Sequence, residues 1–283
     1  MKKTIRTIAA AALAVALTGC SSGSAAGGNS GSAPAEDKHI AVGVNPVPHA
    51  EILENAVKQV LADEGWELEV VVFEDYVLPN TSLEEGELDA NYFQTLGYMN
   101  DQNDNNGLHL AAVAGVHIEP MGIYSEKHAS VEEIPDGASI GVPNDTDNYN
   151  RAIDLLVSKG LLNGTGDENT LNGSADLNPH GFEITPIEAA NLPLSLPDLD
   201  AAVINGNYAL GADLPAKHPA LTIEEFDDET SVKRTNFLVV EQGNEETEKT
   251  KALVKAIQSD AVKKYIDDTY KGAVITSFID PQN

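Results

Sequence analysis

The stretch from Ile40 to Phe73 restricts the fold of this chain more than any other. Ile40-Ala41-Val42-Gly43-Val44 is a short, partly β-branched run, and Asn45-Pro46-Val47-Pro48 breaks it. Ile52, Leu53, Ala56, Val57, Val60 and Leu61 then recur at helical spacing, with Glu, Lys, Gln and Asp between them. Gly65 closes that helix, and Leu68–Phe73 is a second strand. Strand, helix, strand at this spacing is a βαβ unit, so the sheet it builds is at least partly parallel. Ligands of open α/β sheets gather beyond the carboxyl ends of the strands. Here that end is the loop Asn45–His49.

The alternation continues in two blocks, about Ile40–Ile118 and about Gly122–Lys233. In the first, the pattern predicts a short helix at Thr81–Glu85, strands at Leu88–Phe93 and Leu108–Val116, and a helix at Gly97–Asn106. In the second it predicts extended Met121–Ser125, a helical turn near Val131–Gly137, strands at Ala138–Val142, Phe182–Ile187 and Ala201–Ile204, and a helix from Asn148 to Lys159-Gly160. Asn163–Pro179, rich in Asn, Gly, Asp and Ser, reads as loop; Leu192–Leu196 is short and broken by prolines. A strand at Phe237–Val240 and helices at Glu245–Ser259 and Asp260–Tyr270 return to the first block. The expectation is an α/β protein of two lobes with a small-molecule cleft between them.

The amino terminus reads as an address. Lys2, Lys3 and Arg6 precede the apolar run Ile8–Leu17, which is shorter than the ~20 residues of a membrane span. It ends Leu17-Thr18-Gly19-Cys20, the lipobox pattern, and Cys20 is the single cysteine of the 283 residues. Residues 1–19 are therefore read as a signal peptide and Cys20 as lipidated with diacylglycerol and palmitate, which gives the multiple acyl chains that stable anchoring takes. Ser/Gly/Ala-rich residues 20–38 are a flexible tether. The expected location is the extracytoplasmic face of the cell membrane, and the expected state is a monomer. The net charge of −28 becomes −31 when Lys2, Lys3 and Arg6 leave with the leader, a poor match for nucleic acid.

Enzyme signatures are absent from the sequence. There is no G-x-S-x-G elbow between a strand and a helix (Gly19-Cys20-Ser21-Ser22-Gly23 fits the letters only where the lipobox meets the tether), no Walker loop, no G-x-G-x-x-G opening a helix and no H-E-x-x-H. His39, His49, His109, His117, His128, His180 and His218 include no pair at ligand spacing on one helix, which argues against zinc. Asp101–Ala112 starts like a calcium loop but carries Asn106 where glycine is needed and Ala112 where glutamate is needed. No cofactor is expected. Polar residues cluster instead at strand ends: Asn45–His49, Asp75-Tyr76, His117–Glu119, Asn144–Arg151 and Asn205–Tyr208. A free amino acid needs a cation for its carboxylate, oxygens for its ammonium and a wall for its side chain. Arg151, at or near the start of a helix, suits the first; a plainly capped helix with a solvated arginine is the competing reading. Asn148 and Asn205 offer amide groups, His117 a pocket hydrogen bond, and Tyr76, Phe93, Tyr98 and Tyr124 an aromatic wall, although each aromatic fits a lobe core equally well.

Over nearly its whole mature length the chain resembles the methionine-binding lipoproteins of bacterial ABC importers. The segments that carry the resemblance are Pro46-Val47-Pro48-His49-Ala50-Glu51-Ile52-Leu53, Phe73-Glu74-Asp75-Tyr76-Val77-Leu78-Pro79-Asn80, Leu88-Asp89-Ala90-Asn91-Tyr92-Phe93-Gln94, Val142-Pro143-Asn144-Asp145-Thr146-Asp147-Asn148 and Ala202-Val203-Ile204-Asn205, together with the lipobox. The resemblance implies a periplasmic-binding-protein fold of type II-like form, with residues 39–120 and 238–283 in lobe 1 and 121–237 in lobe 2. It implies capture of L-methionine or a related amino acid, without chemistry, and delivery to a permease driven by a separate ATPase. It implies that Arg151 holds the carboxylate, that Asn148 and Asn205 bind backbone polar groups, and that Tyr76 and Phe93 belong to the pocket. The family usually continues Phe-Gln-His and then Pro-Tyr; here Thr95 and Gly97 replace the histidine and proline. Another amino acid or a methionine-containing dipeptide therefore stays open as ligand, as does an exported enzyme or a surface interaction protein on the same scaffold.

Overall fold

A computed structural model describes residues 37–281; the leader, Cys20 and most of the tether lie outside the described residues. The first lobe is a six-stranded sheet made from β1 (His39–Val44), β2 (Glu67–Val72), β3 (Ala90–Thr95), β4 (Leu110–Ile118), β10 (Thr235–Glu241) and β11 (Ile275–Thr276), in the order β11-β4-β10-β3-β1-β2. The second is a five-stranded sheet of β5 (Gly122–Tyr124), β6 (Ser139–Pro143), β7 (Glu183–Ile187), β8 (Ala201–Ile204) and β9 (Thr222–Ile223), in the order β7-β6-β8-β5-β9. As the opening βαβ pattern requires, β1 lies parallel to both β2 and β3. β6 is likewise parallel to β7 and β8, whereas β5 and β10 run antiparallel to their neighbours.

The chain leaves the first sheet after Ile118 and reaches the second at Gly122, then returns between Ile223 and Thr235. The two sheets are thus joined through Glu119–Met121 and through a segment containing Glu224 and Arg234. Helices Glu248–Ile257 and Asp260–Tyr270 close the first lobe, as expected. Their Leu253, Ile257, Val262 and Ile266 pack with Val42, Val44, Leu238 and Val240 in one core. Full burial of each such side chain contributes roughly 1.5–3 kcal/mol. A separate core beneath the second sheet contains Ile140, Val142, Ile153, Leu156 and Val203.

Several elements depart from their expected limits for local reasons. Helix α1 (Lys58–Asp63) is preceded by the wider helical turns Pro46–Ala50 and Leu53–Val57; Val47 inside the first is extended, so helical backbone begins only after it. Helix α2 (Leu78–Glu84) begins three residues earlier than predicted, because Asp75 Oδ1 accepts from the Val77 and Leu78 N–H groups and Pro79 sits in the first turn, where no N–H is needed. β3 starts at Ala90 because Asp89 serves as a tie, accepting from Ala41 N–H and pairing with Lys249. Helix α3 (Leu96–Asn106) ends at Gly107, whose φ of 67° is the left-handed stop that glycine supplies. The presumed loop Asn163–Pro179 contains the helix Glu168–Gly173, capped by Asp167. Leu192–Ser195 is a helical turn.

Candidate ligand-binding site

Helix α4 (Thr146–Ser158) starts two residues before its predicted position. Asp145 is its cap: the side chain accepts from the Asn148 N–H at 3.0 Å and from Asn148 Nδ2 at 2.9 Å. The helix terminus is therefore already capped by a carboxylate of the chain, as the plainer reading of this stretch has it. Arg151 falls in the second turn rather than the first, and it is buried rather than solvated. Its Nε and Nη2 grip Glu224 at 3.0 and 2.6 Å, and Nη2 also donates to the Glu119 carbonyl at 2.9 Å. Arg234 Nε donates to the other Glu224 oxygen at 2.8 Å. One carboxylate is thus shared by two guanidinium groups. Burial pushes the Glu224 carboxyl upward, but the two arginines prevail and hold it below its ordinary range.

A cavity opens beside this arginine, lined by Tyr76, Phe93, Gln94, Thr95, Tyr98, Glu119, Asn148, Arg151, Asn205, Gly206, Asn207 and Asn236. Both lobes contribute. Asn205 Nδ2 donates to Asn148 Oδ1 at 2.7 Å, which fixes the amide and turns its Oδ1 away from that bond. That oxygen is buried with no hydrogen-bond partner, although it belongs to a cavity-lining residue. An orphan acceptor in such a place costs ~1–3 kcal/mol until a donor meets it. Tyr76 packs against Phe93 and Tyr98 with ring centroids 5.8 and 5.7 Å apart, forming an aromatic wall. The Tyr76 hydroxyl reaches across to Asn207 Oδ1 at 2.6 Å.

Glu119 is the buried anion of the cavity. His117 Nε2 donates to its Oε1 at 2.6 Å, and His49 Nε2 lies 3.3 Å from the same oxygen and 3.2 Å from Asn236 Oδ1. The Tyr92 hydroxyl bonds to His117 Nδ1, which leaves Nε2 as the protonated nitrogen of that ring. Burial lowers both imidazoles, His49 to about 4 and His117 to about 3, so they are neutral donors. Burial pushes the Glu119 carboxyl up, with His49 and Arg151 acting in the opposite direction. The three ligand atoms lie within 4.8 Å of one another, a grouping not foreseen from helical histidine spacing. Each imidazole Nε2 is engaged as a hydrogen-bond donor, so the cluster is a cage of donors around a carboxylate.

The model of the NlpA lipoprotein family matches residues 40–278. The chain belongs to that family. The D-methionine-binding lipoprotein MetQ of Salmonella typhi is 32% identical, over 96% of this chain and 97% of its own length. Among solved structures, a lipoprotein from Ruminococcus gnavus is 45% identical with a TM-score of 0.78, covering 85% of this chain and 99% of its own. A nutrient-binding protein from Burkholderia cenocepacia bound to methionine is 35% identical with a TM-score of 0.75, covering 84% and 100%. The two-lobed periplasmic-binding-protein fold is thereby shared with methionine-binding members of the family.

Of the site residues expected from sequence, this NlpA-family chain brings Tyr76, Phe93, Asn148, Arg151 and Asn205 to one cavity. His117 stands behind it, fully buried, and touches it through Glu119. Tyr98 joins the wall as expected, but Tyr124 does not. It lies on β5 in the apolar cluster of Leu192, Leu196 and Ile204, and borders a different cavity with Pro120, Leu210 and Ile223. Thr95, in the segment tied to ligand preference by the resemblance, lines the cavity, and Glu119 and Asn207 come from the polar strand-end clusters, although neither was singled out; Gln94 and Asn236 were given no role in contacting a ligand. Glu119 and His117, two residues apart at the end of one strand, share a face, so the signal for one was also the signal for the other.

Proposed function

We propose that this protein is the solute-binding lipoprotein of an ABC importer and that it captures methionine in the cleft between its lobes. The observation that carries this reading is the pairing of buried Arg151 and buried Glu119 in one cavity with the orphan Asn205 Oδ1 between aromatic and amide walls. A zwitterion meets opposite charges there: its carboxylate at the Arg151 edge, its ammonium at Glu119 and Asn205 Oδ1. Tyr76, Phe93 and Tyr98 form an aromatic wall suited to an unbranched, polarisable thioether. The methionine-binding names of the relatives support the same ligand. His117 and His49 orient Glu119 instead of touching the ligand.

The remaining assignments follow from this role. Cys20 carries the acyl anchor, residues 20–38 tether the lobes to the extracytoplasmic face, and a permease with its ATPase receives the ligand. The protein acts as a monomer and carries out no reaction. The lobe division at 120/121 is supported by the passage between sheets, and the second is better placed at 234/235, because β10 begins at Thr235. Thr95 in the cavity wall makes the side-chain end of the pocket the place where a related amino acid or a methionine dipeptide would be distinguished. A thermal-shift series over the free amino acids and methionine dipeptides tests the reading. Methionine at 100 times its Kd stabilises by about 2.7 kcal/mol, a Tm rise of roughly 5–11 °C for a protein of this size. No shift with L- or D-methionine, or a larger one with an unrelated amino acid, would displace methionine as the ligand.

A further inference from the structure

At the rim of the cleft, outside the cavity lining, Asp147 of α4 lies directly over the first turn of α3. These helices belong to different lobes. Thr95 Oγ1 bonds to Asp147 Oδ2 at 3.2 Å, and the same oxygen accepts from the Tyr98 N–H at 3.3 Å, so one threonine caps its own helix and holds the opposite lobe. A Cβ placed on Gly97 would overlap the Asp147 carboxylate and lie 2.9 Å from its Cγ. The glycine is thus the cradle into which the carboxylate of the other lobe fits. A carboxylate over the start of an eleven-residue helix is also favourably placed in the helix field. Burial pushes the Asp147 carboxyl up, while its bond to Thr95 and the charges of Arg234 and Arg151 act in the opposite direction.

We propose that Thr95, Gly97 and Asp147 form an interlobe latch that sets how tightly the cleft closes on its ligand. Its position makes it specific to the site. Asp147 precedes Asn148, while Thr95 and Tyr98 themselves line the cavity, so engaging the latch brings the polar and aromatic walls together. The inference rests on the two-lobed binding reading, but not on methionine being the ligand.

Three variants of the mature protein test it: Gly97→Ala, Asp147→Ala and the two combined. Alanine favours a helix over glycine, so Gly97→Ala keeps the fold. Calorimetry with methionine is expected to show about tenfold weaker binding by Gly97→Ala, a change of ~1.4 kcal/mol. The double variant is expected to match Asp147→Ala alone, because removing the carboxylate removes the overlap. Small-angle scattering in buffer without methionine is expected to give Gly97→Ala a larger radius of gyration than wild type. Wild-type affinity in Gly97→Ala, an equal loss from Gly97→Ala with and without Asp147, or identical radii would each overturn the latch. Absence of methionine binding by wild type would instead overturn the ligand assignment, and the scattering comparison would still decide the latch.

Discussion

Replacing Arg151 gives the sharpest test of the proposed site, because the residue pairs with Glu224 in the structure and has a second, separable job in the proposal, holding the ligand carboxylate. In Arg151→Met the guanidinium's bonds to Glu224 and to the Glu119 carbonyl are lost together. Glu224 then keeps its bond to Arg234 but remains a largely buried carboxylate without its stronger partner. Breaking a buried pair by removing one partner costs ~3–5 kcal/mol of stability, or a Tm fall of roughly 6–20 °C here. Separately, loss of the cation facing a buried ligand carboxylate costs ~2–5 kcal/mol of binding, about 30- to 5,000-fold in Kd. Weak binding by the single variant alone would therefore not distinguish recognition from unfolding. Combining Arg151→Met with Glu224→Gln removes the stranded charge. Thermal denaturation is expected to show the double variant recovering most of the lost stability, while calorimetry shows methionine binding still impaired. A folded double variant binding methionine within threefold of wild type would refute the assignment of the carboxylate to Arg151.

Three further outcomes follow from the same geometry. Glu119→Gln preserves shape and an acceptor for His117 but removes the charge facing the ammonium, so methionine affinity should fall about 10- to 150-fold by calorimetry with Tm unchanged or raised; an unchanged Kd would exclude Glu119 from ammonium recognition. His117 is held neutral, its value lowered to about 3 from an ordinary 6.5, so in acid the unfolded chain takes up this proton first; its stabilising effect is complete above about pH 6.5 and is lost as pH falls towards 3. Glu119, shifted upward, has the opposite sign, so the comparison is between variants: His117→Gln should flatten the stability-versus-pH curve between about pH 6.5 and 4.5 by up to ~1.4 kcal/mol per pH unit in denaturant titrations, and an unaltered slope would show that His117 is not held neutral. Leu253→Ala, in the core of the first lobe, should cost ~2–5 kcal/mol in urea unfolding and leave methionine affinity within about twofold at 25 °C, whereas a large affinity loss would show that this core is coupled to the cleft.

The alternation of short β-branched runs with helical periodicity was enough to read the two sheets and the return of the last helices, because both are dictated by how apolar residues repeat. The site was legible where polar residues interrupt that pattern at strand ends, as at Tyr76, Asn148, Arg151 and Asn205. Asn236 was not, because it precedes the apolar run Phe237–Val240 and looks like the residue before a strand. In fact β10 begins at Thr235, and Asn236 faces His49, a residue 187 positions away in sequence. Nor does local pattern assign His117 and Glu119 their different places. They share a face, and the passage to the second lobe at Pro120 brings Glu119 to the cavity while His117 stays in the core. Tyr124 took the lobe-core place that stayed open for each aromatic: an aromatic beside a strand end reports burial, and only the sheet order decides which side is buried.

Closure depends on contacts that no single lobe contains. Tyr76 to Asn207, Tyr208 to the Glu74 carbonyl and Thr95 to Asp147 bridge the cleft, and three such bonds contribute together roughly 1.5–4.5 kcal/mol. Against them stands the closed cavity's own cost, ~1–3 kcal/mol for the unpartnered Asn205 oxygen and a similar amount or more for a carboxylate buried at Glu119. The two sides are of the same order. A ligand that satisfies Asn205 and Glu119 removes the opposing side while leaving the bridges intact. Its differential affinity for the closed form is then the cost it relieves, a few kcal/mol, which is the scale needed to shift a two-state equilibrium decisively. On the proposed reading, the unpartnered Asn205 oxygen and the buried charge of Glu119 are what make closure conditional on an amino acid rather than spontaneous.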